Sequence, residues 1–227
     1  MDSSTLKIEN IHKIYLQGNK KIEVLTGVNA SFEQKKSYSI TGVSGSGKST
    51  LMHVLGGLDD PDSGKVLFNK KNLYKIRSKD KEKFLNNSLG FVFQFHYLIN
   101  ELTVLENIML MGLIKGESKS KCRERAEYLL KHVGLSEKAS RYPFQLSGGE
   151  QQRISILRAI FNKPTFLLAD EPTGNLDSTN ADHIVNLFID CQKEWGMGLI
   201  ICSHDKSVYS RMSNVLEMKS GKLVNVK

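Results

Sequence analysis

The chain has 227 residues, with 32 Lys and Arg against 24 Asp and Glu, a formal net charge of +8, 40% hydrophobic and 25% charged residues. That length buries a sizeable interior in one large domain, or in a core with a subdomain, and the composition excludes a disordered or fibrous chain. No stretch reaches the roughly 18 to 20 uncharged apolar residues of a membrane span; residues 98–114 come nearest and are broken by Glu101 and Glu106.

Residues 6–15 alternate apolar and polar positions (Leu6, Ile8, then Ile11, Ile14), and 22–32 repeat the pattern with Gly27 as a break. This predicts an antiparallel strand layer. Tyr38-Ser39-Ile40-Thr41 then leads into a glycine-rich turn, followed by a helix over 49–58 with Leu51, Val54, Leu55 and Leu58 at helical spacing. Asp60-Pro61-Asp62-Ser63-Gly64 is a turn, 65–68 a short strand, 69–87 a polar, Lys-rich connection, and 89–93 an apolar strand ending at Gln94. From about 98 to 142 the apolar period lengthens from strand to helix, predicting helices over 104–114 and 122–133. The first is apolar almost all round, which suits either full burial or a docking surface. A helix over 149–161, a buried strand over 165–169, a helix over 181–195, a strand over 198–202 and a hairpin of 215–218 with 222–226 complete the chain. Strands alternating with helices predict an α/β architecture with a mostly parallel sheet.

Cys122, Cys191 and Cys202 form no CxxC pair and leave one over under any pairing, which fits buried thiols in a reducing compartment. Met1 to Thr5 carries no basic and apolar leader, so a cytosolic location is expected. The positive charge invites a nucleic-acid reading. However, the basic residues are scattered in pairs such as Lys20-Lys21 and Lys70-Lys71, and the richer runs are mixed with Asp80, Glu82, Glu117 and Glu124. That is the pattern of a solvated face, and no nucleic-acid partner is expected.

Three motifs carry chemistry. Gly42-Val43-Ser44-Gly45-Ser46-Gly47-Lys48-Ser49, followed by Thr50, matches G-x-x-x-x-G-K-[ST] between a predicted strand and a predicted helix. Glycines there turn backbone N–H groups toward a phosphate, Lys48 reaches the β/γ-phosphates and Ser49 is a Mg²⁺ ligand. Phe166 to Ala169 is an apolar strand ending in Asp170 and Glu171, where acids face the ligand crevice of a parallel sheet. Leu146-Ser147-Gly148-Gly149-Glu150 opens another helix. A capping box explains Ser147 and Glu150 but not the paired glycines, and as an anion site this segment has no evident ligand of its own.

With these motifs the chain resembles the nucleotide-binding subunit of an ATP-binding cassette (ABC) transporter, from about Leu6 to Val224. The resemblance implies a P-loop NTPase core of the ABC type over 1–97 and 146–227, an antiparallel β layer, and an inserted α-helical subdomain at about 98–145. It implies ATP and Mg²⁺. Gly42 to Thr50 would hold the phosphates, Ser49, Gln94 and Asp170 the Mg²⁺, and Tyr15 would stack on adenine. Catalysis would fall to Glu171, His204, Gln94 and Lys48, with water attacking the γ-phosphate. Ser147, Gly148, Gly149 and Glu150 would complete the ATP site of a second copy, and Asn175, Leu176 and Asp177 would lie at that dimer interface. The resemblance also implies a peripheral subunit on the cytoplasmic face of a bacterial inner membrane, with permease subunits docking near Gln94 and Leu98–Met111.

Within the family, Gly90-Phe91-Val92-Phe93-Gln94-Phe95-His96, Asn100 to Asn107 and Ala169 to Asp177 resemble the branch of lipoprotein-releasing, macrolide-exporting and cell-division ATPases. The first of these is the most similar. A regulatory cell-division ATPase, a macrolide or peptide exporter and, more remotely, a soluble nucleic-acid-linked ATPase stay open as alternatives. Two departures stand out: Leu157 occupies a place where the family usually has Ala, and Ser39-Ile40-Thr41 is less aliphatic than usual.

Overall fold

The N-terminal alternation produces two long antiparallel strands, β1 (Thr5–Gln17) and β2 (Lys20–Glu33), in a computed structural model that describes residues 3–226. With β4 (Ser63–Phe68) and β5 (Lys71–Asn72) they form one sheet in the order β2-β1-β4-β5, antiparallel throughout. The second sheet contains β3 (Ser37–Thr41), β6 (Leu89–Val92), β7 (Phe166–Asp170), β8 (Gly198–Cys202), β9 (Asn214–Lys219) and β10 (Lys222–Asn225). Its order is β10-β9-β3-β8-β7-β6, parallel except for the closing β9–β10 hairpin.

Every residue of β7 and β8 is buried, as expected of central parallel strands covered on both faces. The two-residue strand period sorts them between two cores. Phe166, Leu168, Ile200 and Cys202 join Ile8, Phe32 and Ile40 beneath the antiparallel sheet, together with Leu51 and Leu55 of α1 (Lys48–Leu55). Leu167, Ala169, Leu199 and Ile201 face α5 (Gly148–Ile160) and α6 (Ser178–Trp195). A one-turn helix, α7 (Lys206–Tyr209), follows β8.

The helical insertion consists of α3 (Val104–Ile114) and α4 (Lys119–His132). Ile108, Met109, Cys122 and Leu129 belong to the same apolar cluster as Ile154 and Leu167, so the insertion continues the core of the sheet. Burial accounts for most of the apolar surface of α3: only Leu113 and Ile114 are largely exposed, the latter at 62%. Asn107 is fully buried in the first turn of this helix. Its Oδ1 accepts from Ile99 N at 2.8 Å, and its Nδ2 donates to the carbonyls of Ile99, Leu102 and Thr103, each at 3.0 Å. Among the described residues no helix is long and apolar enough to cross a membrane.

The segment 69–87, expected to be a plain connection, contains β5 and most of α2 (Ser78–Ser88). No residue of α2 is fully buried and no side chain caps its start, so composition conceals it. It is held by Phe84 and Leu85, partly buried against the inter-sheet core, with the Phe84 and Phe68 rings 4.6 Å apart. The two departures noted in the sequence are absorbed by packing. Leu157 is fully buried in the helix-side core, and the buried Ser39 hydroxyl donates to Ile201 O at 3.3 Å.

Candidate active site

Strand order sets the site. The carboxyl ends of β3, β8 and β7 lie side by side, bringing together the glycine loop, His204 and the Asp170-Glu171 pair. A 710 Å³ cavity opens there, and Tyr15, Lys48, Ser49, Gln94, Glu171 and His204 all line it. Val43, Ser44, Gly45, Gly47 and Thr50 complete the loop wall of the same cavity.

The glycine loop is sterically demanding. Gly42 has φ 142°, and a Cβ there would stand 2.5 Å from Met218 O and 2.9 Å from Ser46 Oγ. Gly47 caps α1 with a left-handed φ of 106°, where a Cβ would meet Val24 O at 3.0 Å. The turn thus leads directly into the positive end of a helix. Lys48, 7% exposed, donates to the carbonyls of Gly42 and Val43 at 2.9 and 3.2 Å, and its Nζ lies 3.6 Å from Glu171 Oε1.

Glu171 sits just past β7 with φ 45°, a strained value for a residue bearing a side chain. The turn is held by Glu171 N donating to Cys202 O at 3.0 Å. His204 Nδ1 is 3.1 Å from both Glu171 carboxylate oxygens, so Lys48, Glu171 and His204 converge in one place. Asp170 is buried; that burial pushes its carboxyl up from the ordinary value, while the nearby Ser49 hydroxyl opposes the rise. Asp170 Oδ1 and Ser46 Oγ are both buried without a hydrogen-bond partner. A hard cation beside Ser49 and Asp170, and a phosphate in the loop, would satisfy these orphaned atoms. The residues present therefore fit both ligands.

The Ser147 segment stands apart from the residues lining this cavity. Its capping box is formed: Ser147 Oγ accepts from Glu150 N at 3.3 Å, and Glu150 accepts from Ser147 N at 2.8 Å. That backbone hydrogen bond holds the Glu150 carboxyl below its ordinary value, with Lys138 at 3.5 Å contributing. The paired glycines now separate in role. A Cβ on Gly149 would stand 2.6 Å from Asn180 Oδ1, so packing demands that glycine, whereas one on Gly148 would meet only Leu176 Cδ2 at 3.8 Å. Gly148 leaves the helix end open. Asp177 caps α6 by accepting from Asn180 N at 2.9 Å, and Asn175 Nδ2 reaches Gln94 O at 3.5 Å.

Sequence reasoning missed the side chains that fasten these segments together. Gln152 is fully buried on α5 and donates to Pro172 O at 2.7 Å and Phe93 O at 3.4 Å. Arg158, further along the same helix, donates to Tyr97 O at 2.7 Å and His96 O at 2.9 Å. The only sequence signal was a glutamine within an apolar helical pattern. A second cleft of 420 Å³ lies beside Gln94's segment, lined by Leu58, Leu85, Phe91, Phe93, Met111 and Ile114. Of the stretch Leu98–Met111 only Met111 reaches it; Ile108 and Met109 are buried, and Leu98 packs against the helix-side core.

The family described as "ABC transporter" matches residues 25–174, from β2 to the turn beyond Glu171. The chain belongs to the ABC transporter family. This ABC ATPase is 45% identical over 219 residues to the lipoprotein-releasing system ATP-binding protein LolD of Aquifex aeolicus, covering 96% of each chain. It is 44% identical to the LolD protein of Saccharophagus degradans, covering 98% of each. Among solved structures, the ATP-binding cassette MJ0796 in a dimeric post-hydrolysis state bound to ADP and Pi superposes with a TM-score of 0.89 at 34% identity, covering 98% and 99% of the two chains. CbiO1 from Clostridium perfringens gives 0.86 at 29%, covering 98% and 88%. The cassette fold expected from the sequence is thus the fold found, and the ABC ATPase is an ATP-binding, ATP-hydrolysing transport subunit.

Proposed function

We propose that two copies of this ABC ATPase close head to tail around two ATP molecules and hydrolyse them to drive a membrane partner that releases lipoproteins from the bacterial inner membrane toward the outer membrane. The observation that carries the chemistry is the convergence of Lys48 and His204 on the Glu171 carboxylate, at 3.6 and 3.1 Å, beside the phosphate-shaped glycine loop. In this reading Lys48 and the loop N–H groups bind the β/γ-phosphates. Ser49, Asp170 and Gln94 hold Mg²⁺, which when bound neutralises phosphate charge. Glu171 takes a proton from the attacking water, and His204 keeps that carboxylate oriented and senses the γ-phosphate. Tyr15 is the platform for the adenine ring.

Ser147, Gly148, Gly149 and Glu150 complete the other copy's site, a role supported by the open helix end at Gly148. Asn175, Leu176 and Asp177 line the contact between copies. The 420 Å³ cleft receives a cytoplasmic segment of the permease, which makes the subunit peripheral on the inner face of the inner membrane. The cargo rests on the names of relatives 42 to 45% identical over nearly the full chain.

Glu171→Gln tests the chemistry: ATP binding should persist, an ATP-bound dimer should accumulate on size exclusion, and phosphate release should fall about 10²- to 10⁴-fold. Normal turnover would remove Glu171 from its role. ATP-dependent release of an acylated lipoprotein from vesicles holding the co-purified membrane subunits tests the cargo.

A further inference from the structure

The edge of the ATP cavity carries a set of contacts that the proposed reaction does not use. Tyr15, near the end of β1, is 40% exposed and lines the cavity. Its hydroxyl donates to Asp59 Oδ2 at 2.6 Å. The other oxygen of Asp59 accepts from Lys13 Nζ at 2.6 Å, and Lys13 also donates to Asp60 O at 2.7 Å. Lys13 lies over the Tyr15 ring, 5.2 Å from its centroid. Ile14, between them, donates its N–H to Asp62 Oδ2 at 2.6 Å.

The turn 59–62, between α1 and β4, therefore holds three consecutive residues of β1 by side-chain oxygens. α1 begins at Lys48, assigned above to the phosphates, so the turn that holds Tyr15 follows directly on the helix that carries that lysine. Asp59 is committed to this task. Burial pushes its carboxyl up, but the hydrogen bonds from Lys13 and Tyr15 outweigh burial and hold it below its ordinary value.

An aromatic ring at a strand end is otherwise free about two side-chain torsions, and a base stacking on it must freeze them. A carboxylate on the hydroxyl and a cation over one face remove that freedom beforehand and leave the opposite face for a planar ligand. We propose that Asp59 is a positioning residue for nucleotide recognition, orienting the Tyr15 ring for the purine base through the Tyr15 hydroxyl. This rests on the reading of Tyr15 as the adenine platform.

The test measures the affinity of the full chain for ATP and for inorganic tripolyphosphate, which has no base, by isothermal titration. Tyr15→Phe keeps the ring and the Lys13–Asp59 pair but removes the hydroxyl. It should weaken ATP binding about 3- to 10-fold and leave tripolyphosphate unchanged. Asp59→Ala, which removes the acceptor of the Tyr15 hydroxyl together with the partner of Lys13, should weaken ATP binding at least as much, and adding Tyr15→Phe to it should cost nothing further, because the hydroxyl has already lost its acceptor. Tyr15→Phe binding ATP as the wild type does, while Tyr15→Ala weakens it, would overturn the role of Asp59 and leave Tyr15 as the platform. Tyr15→Ala with unchanged ATP affinity would overturn the platform itself. A parallel loss of ATP and tripolyphosphate affinity in Tyr15→Phe would also overturn the proposal, since the effect would then not concern the base.

Discussion

Replacing Asn107 by Ala removes the only polar side chain buried in α3, and the contacts set the size of the effect. One N–H donates to Oδ1, while three carbonyls at 3.0 Å share the two hydrogens of Nδ2, which limits the side chain to about three full hydrogen bonds. At about 1 kcal/mol net for each, the loss is about 3 kcal/mol, and the higher helix propensity of Ala returns about 0.5 kcal/mol. Thr103 O keeps its helical partner, Asn107 N at 2.9 Å, and Ile99 is partly exposed, so water satisfies some of the abandoned groups. The expected destabilisation is about 2 to 3 kcal/mol, measured by urea unfolding with linear extrapolation. Asn107→Asp, nearly the same in shape, should be worse than Ala because it presents a carboxylate to three carbonyl oxygens. Amide exchange at Ile99 should quicken in the Ala variant, which has no oxygen to accept from Ile99 N. A loss below about 1 kcal/mol, or an Asp variant as stable as the Ala variant, would refute the view that this side chain fastens the loop over 99–103 to α3.

Two further outcomes follow from surface and charge. Ile114→Glu, at an exposed position lining the 420 Å³ cleft, should leave stability within about 0.5 kcal/mol and ATP binding intact while weakening assembly with the membrane subunits; an unchanged yield of the co-purified complex would argue against docking there. Glu106 caps α3 through hydrogen bonds from the side chain and backbone of Thr103, which lower its carboxyl from the ordinary 4.5. A lowered folded-state value means that its contribution is complete above about pH 4.5 and declines as pH falls through the folded value. The difference in unfolding free energy between wild type and Glu106→Gln should be constant from neutral pH down to about 5 and change below that, whereas a constant difference throughout would remove the charge from the cap.

The site was legible where chemistry is written in adjacent residues. Gly42 to Ser49 and Asp170-Glu171 each lie within one turn, and the strand before Asp170 could be read from apolar composition alone. What escaped was contact between distant segments: Asp59 meets Tyr15 across 44 positions, and Gln152 meets Phe93 across 59. Neither residue type announces a partner. The helix over 78–88 escaped for a different reason, since it carries Lys and Asn around most of its circumference and anchors itself by Phe84 and Leu85. In α3 the period was visible but not what it faced. Two interpretations of one apolar helix were separated only by seeing which side chains α4 and α5 had already covered.

The grips of Gln152 and Arg158 make α5 something more than a spacer. Its 13 residues form a rod about 20 Å long, with Ser147 at its tip and, along its shaft, holds on the backbone at Phe93, His96 and Tyr97, on both sides of Gln94, and on Pro172, next to Glu171. A stiff rod cannot tilt at its tip without dragging what is tied along it. A displacement of the helix end at Ser147 is therefore transmitted to the backbone flanking Gln94 and Glu171, so that two stretches far apart along the chain move as one body.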